Sequence, residues 1–161
     1  MVTGELGASA AGLRDVLAGK LRTRNAKIHL MPEAQVLEGE WLGKQSCVHA
    51  MCDISDGIAS DLQHIIDASK KGVIVEDLPS AKGATWKDAF EGGEDYKLLI
   101  TVDKNQADDL ARRFKQKFGT PLYIIGKIKS NGGGSGYCIG VKVKNGDVIT
   151  QSTGWGGYHH F

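Results

Sequence analysis

One junction constrains this chain more than any other stretch. Residues 47–52, Cys47-Val48-His49-Ala50-Met51-Cys52, form a short apolar run that reads as a buried strand ending at Asp53. Asp53-Ile54-Ser55-Asp56-Gly57 follows, and then Ile58, Leu62, Ile65 and Ile66 fall at i, i+4, i+7 and i+8, one apolar stripe of a helix. Ser55 or Asp56 is placed to cap that helix, Lys70 and Lys71 sit in its last turn, and Gly72 is the expected stop. Val73-Ile74-Val75 is a second strand. A strand that enters a helix through an acidic turn, then returns as a strand, requires a sheet with helices packed on it.

The rest of the chain fits that requirement. Residues 8–21 read as a short helix, His29 through Glu33 as an ordered loop, and 34–42 as another short helix. Residues 77–91 read as loop with about one helical turn. Tyr96–Val102 is apolar on nearly both faces and is expected to be central. Asp103-x-x-Gln106 resembles a capping box, and it opens a helix lined by Ala107, Leu110, Ala111, Phe114 and Phe118. Pro121–Ile128 is a further strand. Tyr137–Lys144 and Val148–Gln151 form a hairpin around Asn145-Gly146, a type I′ turn signal. The aromatic tail from Gly154 to Phe161 is expected to dock. The expectation is an α+β fold, a mixed sheet flanked by helices, with 1–161 as a single domain.

Composition narrows the function. Twenty basic residues against nineteen acidic ones leave a net charge of +1, which gives no support to a nucleic-acid or membrane-surface role. Three cysteines without a C-x-x-C pair indicate neither a disulfide framework nor a zinc ribbon, and suit reduced thiols in cytoplasm. No apolar run is long enough to span a membrane, and residues 1–7 lack the pattern of a signal peptide. The 22 glycines are about twice what average usage of roughly 7% predicts. Gly132-Gly133-Gly134-Ser135-Gly136 lacks the Lys-Ser/Thr of a phosphate loop and reads as a hairpin connection.

Two motifs carry possible chemistry. At Asp53-Ile54-Ser55-Asp56-Gly57 a helix N-terminus offers free N–H groups to a phosphate. Two carboxylates there suit a phosphate only with Mg²⁺ between them. Asp53 and Asp56 would then hold the metal, and Ser55 a phosphate oxygen. Gly92-Gly93-Glu94-Asp95-Tyr96 places a carboxylate at a sheet end after two glycines. Each has a plainer reading, a capped helix start and a tight turn with solvated acids, which spacing alone favours.

The motifs together resemble a known family. Val2 through Leu13, His29 through Pro32, Asp53-Ile54-Ser55-Asp56-Gly57-Ile58-Ala59-Ser60-Asp61-Leu62, Gly92-Gly93-Glu94-Asp95-Tyr96-Lys97-Leu98-Leu99 and the closing Gly157-Tyr158-His159-His160-Phe161 occur in one order. In that order they are similar to the C-terminal half of the thiamine-monophosphate kinases. These belong to the superfamily of aminoimidazole ribonucleotide synthetase, the PurM-like proteins. The resemblance spans almost the whole chain and reverses the preference for the plainer readings.

It implies transfer of the γ-phosphoryl group of ATP to thiamine monophosphate. Asp53 and Asp56 would bind Mg²⁺, Ser55 ATP, and Glu94 the thiamine phosphate. Tyr158 would stack on the thiamine rings, with Trp155 as the alternative. It also implies that the half of the family carrying most ATP and metal ligands lies upstream of this sequence. The fragment is then expected to be inactive alone, and its parent a homodimer.

Lys97 stands where the family has Glu, His159 where it has Asp, and Gln35 where it has Arg; Lys70-Lys71-Gly72 replaces its S-G-x-G step. Two other readings are an AIR synthetase or selenophosphate synthetase type of domain, and a non-catalytic ligand-binding module of the same fold.

Overall fold

The computed structural model describes residues 1–130 and the strand backbones of Cys138–Lys142 and Val148–Ser152. In chain order the elements are α1 (Ala8–Leu17), α2 (Arg24–Leu30), α3 (Val36–Gly43), β1 (Val48–Asp53), α4 (Ile58–Ser69), β2 (Gly72–Val75) and α5 (Trp86–Glu91). β3 (Leu98–Val102), a 3₁₀ turn at Lys104–Gln106, α6 (Ala107–Phe118), β4 (Gly126–Lys129), β5 (Cys138–Lys142) and β6 (Val148–Ser152) follow. The fold is α+β.

β1 pairs antiparallel with β3, and a second sheet has the order β4-β2-β5-β6. Within it β2 runs antiparallel to β4 and parallel to β5, so the sheet is mixed. The first residues of the chain lie between β3 and the segment that leads into β4. Val2 bridges Leu99 on one side and Tyr123 on the other, exchanging 2.9 and 2.8 Å backbone hydrogen bonds with Tyr123. β3 therefore has β1 on one flank and residues 1–3 on the other, which is the central position its apolar pattern predicts.

The period-2 alternation of β3 separates two cores. Leu99 packs into a cluster with Val2, Ile54, Ile58, Leu62, Ile66, Val75 and Phe90. Ile100, next in sequence, packs into another with Met1, Leu42, Leu110, Phe114 and Leu122. Trp41 of α3 meets Phe114 and Phe118 of α6 edge-on at centroid distances of 6.0 and 5.8 Å, which closes the second core. The stripe Ile58, Leu62, Ile65 and Ile66 is buried, as its spacing requires.

Several local expectations differ from the structure. β1 is not buried: its residues alternate between half-buried and exposed, because among the described residues its sheet partner is β3 alone. α4 begins at Gly57 without a side-chain cap, so neither Ser55 nor Asp56 caps it. Its left-handed stop is Lys70, at φ 53°, and Gly72 already belongs to β2. His29 and Leu30 end a helix, α2, rather than opening a loop. Asp103 caps the 3₁₀ turn through the Asn105 amide, and no side chain caps α6 itself. β3 starts at Leu98 rather than Tyr96, since Glu94 and Tyr96 both have positive φ. β5 and β6 form the expected antiparallel hairpin. Its Asn145-Gly146 turn, the 132–136 glycine run and the tail with Trp155, Tyr158 and His159 lie outside the described residues.

Candidate functional site

The two acidic motifs, about forty residues apart in sequence, are one structural unit. The Glu94 amide donates to the Ser55 carbonyl at 2.7 Å, and the Tyr96 amide donates to the Ile54 carbonyl at 2.9 Å. The Ile54 amide returns a 2.7 Å bond to the Lys97 carbonyl. These bonds continue the β1–β3 ladder past Asp53 and Leu98 into both loops. Glu94 at φ 63° and Tyr96 at φ 47° depart from a strand's backbone and turn the segment toward the other loop.

Gly57 makes the approach possible. Its φ is 97°, and a methyl group there would stand 2.9 Å from the Glu91 carbonyl carbon and oxygen. The first turn of α4 thus rests directly on the end of α5, just before Gly92 and Gly93.

The side chains at this junction divide into anchors and exposed groups. Asp95 is an anchor: it is buried and accepts hydrogen bonds from the Gly7 and Ser9 amides at the N-terminus of α1. Burial pushes its carboxyl up from the usual range, while those amides and the Lys97 ammonium act the other way. Asp61 is the second anchor, on the first turn of α4, and its carboxylate accepts the Asp56 amide at 3.1 Å. Burial, and then the charges of Asp56 and Asp53, push the Asp61 carboxyl up. Asp53 is exposed, and Ser55, Asp56 and Glu94 are partly exposed.

The local charge is negative. Burial raises the Cys52 thiol to about 12, with Asp61 and Asp53 adding to the shift. A thiol so placed is inert, and it reports the carboxylates around it. The donor set fits a hard divalent cation, which takes oxygen ligands, often one or two carboxylates completed by phosphates. Among the described residues no group of three His, Cys, Asp or Glu could hold a metal by itself.

His29 of α2 also reaches the junction. Its Nδ1 lies 2.8 Å from the Ser9 hydroxyl and 3.8 Å from a Glu94 carboxylate oxygen. Neither Ser9, Asp61 nor Asp95 is evident from the sequence as a site residue. The signal that could have found the two acids is their place inside the motifs. Of the predicted residues, Asp53, Ser55, Asp56 and Glu94 are brought together, and Tyr158 lies outside the described part.

Gln35 and Lys97, two of the departures from the family pattern, line one cavity of about 300 Å³ with Thr3, Arg24 and Tyr123. The Gln35 side chain is hydrogen-bonded to the Thr3 hydroxyl, which itself accepts the Leu98 amide at 2.8 Å. A larger cavity of about 500 Å³, lined by β2, β3, β4 and the start of α6, has none of Asp53, Ser55, Asp56 or Glu94 among its described residues.

A thiamine-monophosphate kinase of Escherichia coli (strain K12) is 31% identical over 99% of the chain and 51% of its own length. One of Haemophilus influenzae is 35% identical over 82% of the chain and 44% of its own length. The chain thus spans about half the length of the curated relatives it matches. The crystal structure of thiamine-monophosphate kinase from Stenotrophomonas maltophilia K279a superposes with a TM-score of 0.74 at 28% identity, over 92% of this chain and 50% of that one. AaThiL complexed with AMPPCP and TMP gives 0.73 at 25% identity, over 99% and 50%. Escherichia coli HypE, at 19% identity and a TM-score of 0.71 over 94% of this chain and 48% of that one, shares the fold. The family model described as AIR synthase related protein, C-terminal domain, matches residues 2–139, and the chain belongs to that family.

Proposed function

We propose that residues 1–161 form one domain, the acceptor-side half of an ATP- and Mg²⁺-dependent thiamine-monophosphate kinase. The observation that carries this reading is the backbone junction between Ser55 and Glu94, which brings the two acidic segments together. The relatives and the complex with AMPPCP and TMP support the substrates, ATP and thiamine monophosphate. Free Cys47 and Cys52 suit a cytoplasmic setting, and among the described residues no helix is long and apolar enough to cross a membrane.

Phosphoryl transfer is catalysed mainly by positioning and by charge stabilisation. A bound Mg²⁺ would supply the latter by neutralising charge on the phosphates. In this chain Asp53 and Asp56 would hold it, and the Ser55 hydroxyl would orient a phosphate oxygen of ATP. Glu94 would meet the thiamine phosphate through the positive thiazolium. Tyr158, or else Trp155, would stack on its rings. Asp61 and Asp95 keep the two loops in place from beneath. The remaining ligands would come from the other half of the protein. The exposed apolar run Leu30, Met31, Val36 and Leu37, next to His29, is a surface on which such a half can close.

The test is a phosphoryl-transfer assay with Mg-ATP and thiamine monophosphate. It compares the full-length protein, the same protein carrying Asp53→Asn, and this chain alone. Product from the full-length protein only is the expected result, and turnover by this chain alone would show that no other half is needed. A second reading, a binding module without catalysis, is favoured by the departures from the family pattern at Lys97 and in the tail. It predicts ligand binding that neither Mg²⁺ nor Asp53→Asn alters.

A further inference from the structure

α2 carries none of the residues assigned to metal, ATP or acceptor, yet it delivers a side chain to the centre of the site. The delivery begins with Gly12. A methyl group there would lie 2.2 Å from the Asn25 carbonyl oxygen and 2.7 Å from the His29 Cβ. Only a residue without a side chain lets α1 and α2 touch backbone to backbone at this point. Thr23 caps α2 through the Ala26 amide at 3.0 Å, and Asn25 ties it to the Lys82 carbonyl at 2.9 Å. The helix is thus fixed at its start, and His29, one turn later, is directed along α1 toward Ser9.

Two groups converge on the same ring nitrogen. Ser9 is fully buried, and its hydroxyl is 2.8 Å from His29 Nδ1, a hydrogen-bond distance. The Glu94 carboxylate is 3.8 Å from that nitrogen, an ion-pair distance rather than a hydrogen bond. With its proton on Nδ1 the ring donates to the Ser9 hydroxyl, and the positive end of that N–H lies on the side of the carboxylate. The ring is 16% exposed and the carboxylate 29%, so the contact is partly screened from water while Glu94 keeps an open side. Ser9 is itself immobile, because its amide is bound by Asp95, the residue that follows Glu94. The loop bearing Glu94 and the helix bearing Ser9 are therefore locked together, and His29 bridges them.

We propose that His29 is a positioning residue that fixes the Glu94 carboxylate toward the cationic acceptor, with the Ser9 hydroxyl holding the imidazole. The inference rests on the reading of Glu94 given above. It makes α2 a determinant of acceptor affinity and leaves the nucleotide side untouched.

The experiment is steady-state kinetics on the full-length protein with His29→Ala, His29→Asn, Ser9→Ala, Glu94→Gln and the His29→Ala/Glu94→Gln double variant. His29→Ala should raise the KM for thiamine monophosphate roughly fivefold, the upper scale of a partly screened ion pair, with kcat and the KM for ATP within about twofold. His29→Asn, whose amide N–H can replace the Nδ1–H, should recover most of the loss. Ser9→Ala should move the same KM in the same direction. The double variant should lose no more than Glu94→Gln alone.

An acceptor KM unchanged in His29→Ala and Ser9→Ala, but raised by Glu94→Gln, overturns the inference and leaves the site reading standing. An acceptor KM unchanged by Glu94→Gln overturns the site reading instead. Parallel loss of both substrates in all His29 variants would assign His29 to general folding. Should His29→Ala not fold, the Asn and Ser9 variants decide by the same acceptor-to-ATP comparison.

Discussion

At Gly12 and Gly57 a single methyl group is the difference between contact and collision. A Cβ at Gly12 would sit 2.2 Å from a backbone oxygen that cannot swing aside, because Asn25 is held within α2. Gly12→Ala should therefore cost about 3 kcal/mol, the upper part of the range for overpacking, and chemical denaturation would read it directly. At Gly57 a clash with the end of α5 is added to a φ of 97°, which L-residues avoid. Gly57→Ala should lower stability by a similar amount, and it should also weaken ligand binding in whatever fraction folds. The predicted sites depended on such positions in an unequal way. As candidate site residues, Asp53, Ser55, Asp56 and Glu94 were legible only through the family resemblance, since spacing alone favoured a capped helix start and a tight turn. Their convergence was not, because it depends on positive φ at Glu94 and Tyr96, which no local pattern of apolar and polar residues encodes.

Among the elements, α5 shows how a short helix is fixed. Thr85 and Asp88 form a reciprocal capping box, and Asp88 also takes both guanidinium nitrogens of Arg14 from α1 at 2.6 and 2.8 Å. The guanidinium, with the Thr85 bonds in support, lowers the Asp88 carboxyl to about 2. Its stabilisation is accordingly present above the ordinary carboxylate range near 3.8 and is lost as pH falls through about 2. Asp88→Asn should reduce stability at pH 7 by about 1 kcal/mol, since half-exposed Arg14 leaves the pair open to screening. The variant's Tm should then fall less than the parent's between pH 4 and 2. α4, α6 and β3 could be read from the sequence because their apolar periods are unbroken. α2 could not: in Arg-Asn-Ala-Lys-Ile-His-Leu only Asn25 and Ala26 are buried, so there is no stripe to read. It owes its position to Thr23, Asn25 and Gly12 instead.

At the scale of the molecule, the first residue occupies the interior. The Met1 amine donates to the Ile100 carbonyl at 2.7 Å, and burial lowers it from 8.0 to about 5. In a chain that begins at Met1, folding must release a proton wherever the unfolded amine is charged and the buried one is not. Stability should therefore be lowest below about pH 5, rise toward pH 8 and level off above it, by up to about 1.4 kcal/mol per pH unit. Denaturation curves across that range, repeated on a chain extended upstream by an acetyl group or further residues, test this, because an amide there has no proton to release. An unchanged slope in the extended chain would place its origin in other groups.

The position of residues 1–3 between β3 and Tyr123 has a further consequence, in time. During synthesis this segment is made about a hundred residues before the strand and the loop that flank it. At ordinary elongation rates the wait is on the order of ten seconds. Until then the two halves of the core cannot separate onto the two faces of β3, because the strand that divides them has not been made. Closure of this domain is set by the slowest and most distant pairing in it rather than by its helices.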